Sequence, residues 1–163
     1  MKVRVAGIVK ESVVDGPGIR FAVFAQGCKH ACKSCHNPET HALDGGELID
    51  ADTLVNNILE SKHISGVTFS GGDPFLQPEE FSYISEKLKA ENINIISYTG
   101  YQYEEIVKDK KMSKLLNNID VLIDGRFNIE KKSLKLPFRG SSNQRIINIK
   151  ASLEAGIAIE TKL

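Results

Sequence analysis

The chain has 163 residues, 41% hydrophobic and 26% charged, which suits a soluble globular domain with its own core and excludes wholesale disorder. Its 21 Lys and Arg balance 21 Asp and Glu, so no overall field draws it to nucleic acid or an anionic membrane, and neither is expected as a partner. No run approaches the ~20 apolar residues of a membrane span, and Met1-Lys2-Val3-Arg4-Val5 lacks an apolar signal core, so a cytoplasmic location and one domain over residues 1–163 are expected.

Taken in chain order, residues 2–9 read as an additional edge strand and 19–25 as the first strand of the main series. Residues 52–61 place Leu54, Val55, Ile58 and Leu59 at helical spacing. A strand is expected over 66–70. The next helix, 78–90, opens on Pro78 and Glu79 and carries Phe81, Ile84 and Leu88 on one side. Residues 93–98 read as a strand, 103–117 as a third helix, and 121–124 and 145–149 as the last strands. This alternation predicts an α/β fold with a mainly parallel sheet. Charge is uneven along it: residues 1–90 hold 9 basic and 12 acidic side chains, residues 91–163 hold 12 and 9. The second excess gathers at Lys108, Lys110, Lys111 and Lys114 and at Lys131, Lys132 and Lys135. It reads either as solvated faces or as a positive rim for a protein partner.

All three cysteines fall within eight residues, Cys28-Lys29-His30-Ala31-Cys32-Lys33-Ser34-Cys35. An odd count argues against a disulfide framework. Three thiolates spaced this way can hold one metal centre from a single loop. With no fourth cysteine, a four-iron cluster bound here keeps one iron without a cysteine ligand, the mark of a reactive site. A zinc site of the three cysteines and one histidine is the alternative; His30 and His36 sit awkwardly beside the ligands, and His41 is geometrically possible. Further motifs follow successive strands: Ser70-Gly71-Gly72-Asp73-Pro74, Tyr98-Thr99-Gly100-Tyr101 and Asp124-Gly125-Arg126-Phe127. In α/β folds chemistry gathers at the carboxyl ends of parallel strands, although each motif alone is also ordinary turn chemistry. Arg126 is placed to meet a carboxylate at that edge, through a buried pair that salt screens poorly, or else it is a surface residue of a turn.

The cysteine spacing resembles the cluster motif of radical S-adenosylmethionine (SAM) enzymes. Its flanks, Asp15-Gly16-Pro17-Gly18-Ile19-Arg20 before it and Cys35-His36-Asn37-Pro38-Glu39-Thr40 at its end, resemble those of the glycyl-radical-enzyme activases. The resemblance covers residues 13 to 147; residues 148–163 are an extension of unknown role. It implies a partial (β/α) barrel of the radical SAM type, too short to be complete, with the partner closing the mouth. It implies a [4Fe-4S] cluster on Cys28, Cys32 and Cys35, reduced by a low-potential donor such as flavodoxin or ferredoxin. SAM on the open iron is then cleaved to a 5′-deoxyadenosyl radical that takes hydrogen from a glycine of the partner. By the same resemblance Gly71, Gly72 and Asp73 receive the methionine amine. A side chain at Gly72 is expected to block SAM and spare the cluster. Adenine contacts fall to the backbone of Ser34, Cys35 and His36 or to the His36 ring, because Ser34 stands where many relatives have an aromatic residue. Thr99 and Asp124 are the candidates for a monovalent cation beside the SAM carboxylate. Asp15, Gly16, Pro17 and Gly18 border the partner's peptide, or form a plain tight turn. The short chain and residues 139–144 favour anaerobic ribonucleoside-triphosphate reductase as partner over a pyruvate formate-lyase type enzyme.

Overall fold

A computed structural model describes all of residues 1–163. Seven strands form one open sheet: β1 (Lys2–Ser12), β2 (Arg20–Ala25), β3 (Glu47–Asp50), β4 (Gly66–Gly71), β5 (Ile95–Tyr98), β6 (Val121–Asp124) and β7 (Arg145–Asn148), in the order β3-β1-β2-β4-β5-β6-β7. β2, β4, β5 and β6 run parallel, and β1, β3 and β7 extend the sheet by antiparallel pairing. The first strand is therefore not an edge: β3, short and almost wholly exposed, covers it. No helix in the molecule is long and apolar enough to cross a membrane.

The helices are α1 (Ala51–Glu60), α2 (Pro78–Ala90), α3 (Tyr103–Ile106), α4 (Lys110–Leu116) and α5 (Ile149–Ala155). Asp50 caps α1 by accepting from the Thr53 amide, and α2 starts on Pro78 with Glu79 and Glu80 in its first turn. The single helix expected over 103–117 is two, because the Asp109 carboxylate accepts from the Lys111 and Met112 amides and starts a new helix there. Lys111 and Lys114 of that helix pair with Glu79 and Glu86 of α2, on exposed ground. The carboxyl-terminal residues are part of the fold. Ile149 is fully buried, Gly156 ends α5 in the left-handed conformation, and the Thr161 amide donates to the Ile146 carbonyl.

Alternation along the strands splits the sheet into two faces. One carries Phe21, Val23, Val67, Phe69 and Ile95 and packs against Leu54, Phe81, Leu88 and Leu116 of the helices. The other carries Ile96, Ile123 and Ile146, with Tyr98 and Phe138 against them. Irregular chain crosses this second face: Thr68 Oγ1 donates to the Asp15 carbonyl at 2.7 Å, and the Tyr98 hydroxyl to the Phe138 carbonyl at 2.7 Å. The parallel strands all end on one side, so residues 26–41, 72–77, 99–102 and 125–127 leave the sheet together.

Candidate cluster and ligand site

The cysteine loop is tied at its base. The Gly27 amide donates to the Thr40 carbonyl (2.7 Å), the Asp73 amide to the Gly27 carbonyl (2.8 Å), and Gln26 Nε2 to the Ala42 carbonyl (2.7 Å). Ala31 (φ 52°) and Ser34 (φ 59°) turn the chain in the left-handed region between the cysteines. The three thiols are free, half-buried and line one cavity. Burial pushes the Cys28 thiol up, with Asp73 and the other two thiols adding to it; burial likewise raises Cys32, beside Cys35. Binding a metal centre would therefore displace protons from these sulfurs.

The cavity is also lined by strand ends: Ser70 and Gly71 of β4 with Gly72 after it, Thr99 and Gly100 after β5, Gly125 and Arg126 after β6. His36 and Phe127 meet edge to face at 5.0 Å and form an aromatic wall. The motif Asp124-Gly125-Arg126-Phe127 gives no sign in the sequence that its last residue joins the site. His41 also lines the cavity, and its buried Nε2 has no hydrogen-bond partner. No three of the His, Cys, Asp and Glu side chains converge as a single ion requires. Three sulfurs that line one cavity without converging on a point fit a cluster whose ligands hold separate irons better than they fit one zinc ion.

Several candidates stand elsewhere. Asp73 is 1% exposed, absent from the cavity wall, and fully engaged: its carboxylate accepts from the Phe75 and Gly100 amides, the Thr99 hydroxyl and His30 Nε2. It is a buried hub under the site, not an open ligand for an amine. Thr99 reaches the cavity, but its hydroxyl proton is given to Asp73 and its oxygen accepts from the Tyr101 amide. Asp124 is also 1% exposed; it accepts from Arg145 Nε (3.0 Å), Arg145 Nη2 (2.6 Å) and the Tyr103 amide. Three donors hold its carboxylate and it does not line the cavity, which speaks against a cation ligand there. Ser34 is exposed and outside the cavity wall.

Arg126 lines the cavity from an exposed position, and no carboxylate of the chain pairs with it. Residues 139–144 hold the loop that carries it: Gln144 Nε2 donates to the Gly125 carbonyl and Asn143 Nδ2 to the Arg126 carbonyl. Asp15, Gly16, Pro17 and Gly18 precede β2, at the far end of that strand from the cysteines, and do not line the cavity. They lie lower on the same sheet face, where Arg20 secures them by donating to Thr68 Oγ1, itself bonded to the Asp15 carbonyl. Arg20 is 2% exposed and pairs with no carboxylate; burial lowers it to about 10, against the attraction of Asp120 and Tyr98.

The role of Asp124 can be checked directly. Asp124→Ala leaves the buried Tyr103 amide without its acceptor and Arg145 with Glu104 as its one remaining carboxylate, and it will cost about 2 kcal/mol of stability. Exchanging sodium for potassium will leave the SAM binding that the cysteine-loop resemblance implies unchanged. Thermal unfolding and SAM titration measure the two; a stable Asp124→Ala protein with cation-dependent SAM binding would return Asp124 to the ligand set.

Residues 14–147 match the family described as a 4Fe-4S single cluster domain. The anaerobic ribonucleoside-triphosphate reductase-activating protein of Haemophilus influenzae is 36% identical over 146 residues, 85% of this chain and 93% of that one. The protein of the same description from Enterobacteria phage T4 is 36% identical over 139 residues, covering 82% and 86%. The pyruvate formate-lyase-activating enzyme of Clostridium pasteurianum is 42% identical over 114 residues, 64% of this chain and 48% of that one.

Proposed function

The chain belongs to the family of anaerobic ribonucleoside-triphosphate reductase-activating proteins and carries the 4Fe-4S single cluster domain, and from that premise we propose that it activates such a reductase by SAM-dependent formation of a glycyl radical. One observation carries the reading: Cys28, Cys32 and Cys35 share a cavity with the strand ends at Gly71, Gly72, Thr99 and Gly100. Cluster and SAM together supply the one-electron cleavage that yields a hydrogen-abstracting 5′-deoxyadenosyl group.

In this reading Cys28, Cys32 and Cys35 hold the cluster. The backbone at Gly71 and Gly72, with that at Thr99 and Gly100, receives the methionine end of SAM. His36, beside Phe127, meets adenine. Arg126 attracts the methionine carboxylate from the rim. Asp15, Gly16, Pro17 and Gly18, held low on the same face by Thr68 and Arg20, border the approach of the partner's glycine loop. That loop must bring its α-carbon within reach of the cavity, and glycine suits the task because it has no side chain to obstruct entry. A low-potential donor such as flavodoxin or ferredoxin provides the electron. The similarity to the C. pasteurianum enzyme supports a formate-lyase type partner as second candidate. The match over nearly the full length of the H. influenzae protein favours the reductase.

The test is anaerobic loading with iron and sulfide, then SAM and dithionite, with 5′-deoxyadenosine measured first and the reductase glycyl radical second. Iron-loaded protein that yields neither removes the proposal. Arg126→Ala should weaken SAM binding roughly fivefold or less at low salt, with the difference shrinking as salt is added, because an exposed charge is screened. An undiminished effect at high salt would mean that Arg126 becomes buried against SAM; no effect at all would assign it to the surface.

A further inference from the structure

His30 lies between two of the cysteines and coordinates nothing in the reading above, yet it is the most firmly held side chain of their loop. Its ring is 5% exposed, stands edge-on to Tyr101 at 4.5 Å, and bonds through Nε2 to Asp73 at 2.6 Å. A carboxylate only accepts, so the proton of this bond is assigned to His30 Nε2. This is the one side-chain hydrogen bond from residues 29–36 to the strand ends, where the other contacts are the His36 ring against Phe127 and the Cys32 thiol with the Phe127 backbone. The other groups on Asp73 are the amides of Phe75 and Gly100 and the hydroxyl of Thr99, all anchored in the ends of β4 and β5. Gly100 leaves the room: a Cβ there would meet the His30 ring at 2.4 Å, with two further ring atoms at 2.7 Å.

We propose that His30 is a positioning residue for the metal centre, latching the cysteine loop onto the Asp73 hub so that the three thiols face the strand-end backbone before the cluster arrives. The inference rests on the functional reading above and adds the link between the two halves of the site. Asp73 directly follows Gly72, so one buried carboxylate sets the distance from the thiols to the backbone expected to hold SAM. A loop freed from that hub keeps its base ties at Gly27 and Thr40 but loses its tip.

The experiment compares wild type, His30→Ala, His30→Gln and Gly100→Ala, each loaded anaerobically with iron and sulfide. Iron per chain, the electron paramagnetic resonance line shape of the reduced cluster with and without SAM, and the unfolding temperature of the metal-free chain are read. His30→Ala should retain less than half the wild-type iron and bind SAM at least tenfold more weakly. His30→Gln, whose amide still donates to Asp73, should recover most of both. Gly100→Ala, which evicts the ring without touching its chemistry, should resemble His30→Ala. Wild-type iron content and line shape in His30→Ala would overturn the proposal. So would equal losses in the Ala and Gln variants that track a fall in the metal-free unfolding temperature, since His30 would then serve stability alone. If wild type loads iron but never responds to SAM, the functional reading fails while the iron content still decides on His30. If wild type loads no iron, both fall.

Discussion

Serine in place of any one of Cys28, Cys32 or Cys35 will strip most of the iron from the protein and, with it, the 5′-deoxyadenosine formation proposed above. The chain has no other cysteine, so no thiolate can be recruited. Serine keeps the size and polarity of the side chain but is a poor ligand for iron at neutral pH, where its hydroxyl stays protonated. The three positions are not equivalent in their surroundings. Cys35 receives the Asn37 amide on its sulfur at 3.5 Å, and Cys32 faces Arg126 and the Phe127 backbone. Burial still holds the Cys32 thiol up against those two contacts, and burial with the charge of Asp73 holds Cys28 up against the His30 backbone. Iron and sulfide analysis of the three variants, with the nucleoside product assayed in parallel, checks the claim. If a single variant keeps full iron and full product, its cysteine is not a ligand. His41, whose buried Nε2 has no partner, would then be the first group to replace.

The parallel core and the loops that bear the site were legible because each strand is a short β-branched run followed by glycine, and each loop leaves at the same end. The edges were not. Glu47–Asp50 is too short and too polar to read as a strand, and it exists because β1 needs a partner for Val3 and Val5. Residues 149–155 became a helix through Asn148, whose side chain accepts from the Ala151 amide, a cap with little apolar pattern behind it. Position along the chain located Asp73 and Asp124 at strand ends correctly. It could not say which way their carboxylates turn, since that is decided by distant partners: His30 and Thr99 for one, Arg145 for the other. For the same reason His30 read only as an awkward metal ligand. Its role lies in a contact across 43 residues, and the space for its ring is left by Gly100, farther still along the chain.

Gly72→Ala will damage the cluster loop as well as SAM binding, contrary to the selective loss of SAM that the glycine pair suggests. A Cβ on residue 72 would lie 2.3 Å from the Gly27 carbonyl oxygen, 2.8 Å from its carbon and 2.9 Å from the Thr40 carbonyl oxygen. All three are backbone atoms, so no side chain can swing aside. The contact is closed from both sides, because the Gly72 amide donates to the Ala25 carbonyl and the Asp73 amide to the Gly27 carbonyl, each at 2.8 Å. Relief requires moving the base of the cysteine loop, which is the segment that aims Cys28. Overpacking against immobile backbone puts the expected cost at about 3 kcal/mol, the upper part of the usual range. For a chain of this size that lowers the melting temperature by roughly 6–12 °C. Gly7→Ala supplies the control: nothing lies within 4 Å of a Cβ there, and the change should stay within about 0.5 kcal/mol of wild type. Thermal unfolding of the metal-free variants, followed by iron loading, separates the alternatives. A Gly72→Ala protein as stable as Gly7→Ala, fully loaded with iron and defective only toward SAM, would mean that the residue faces the ligand and not the loop.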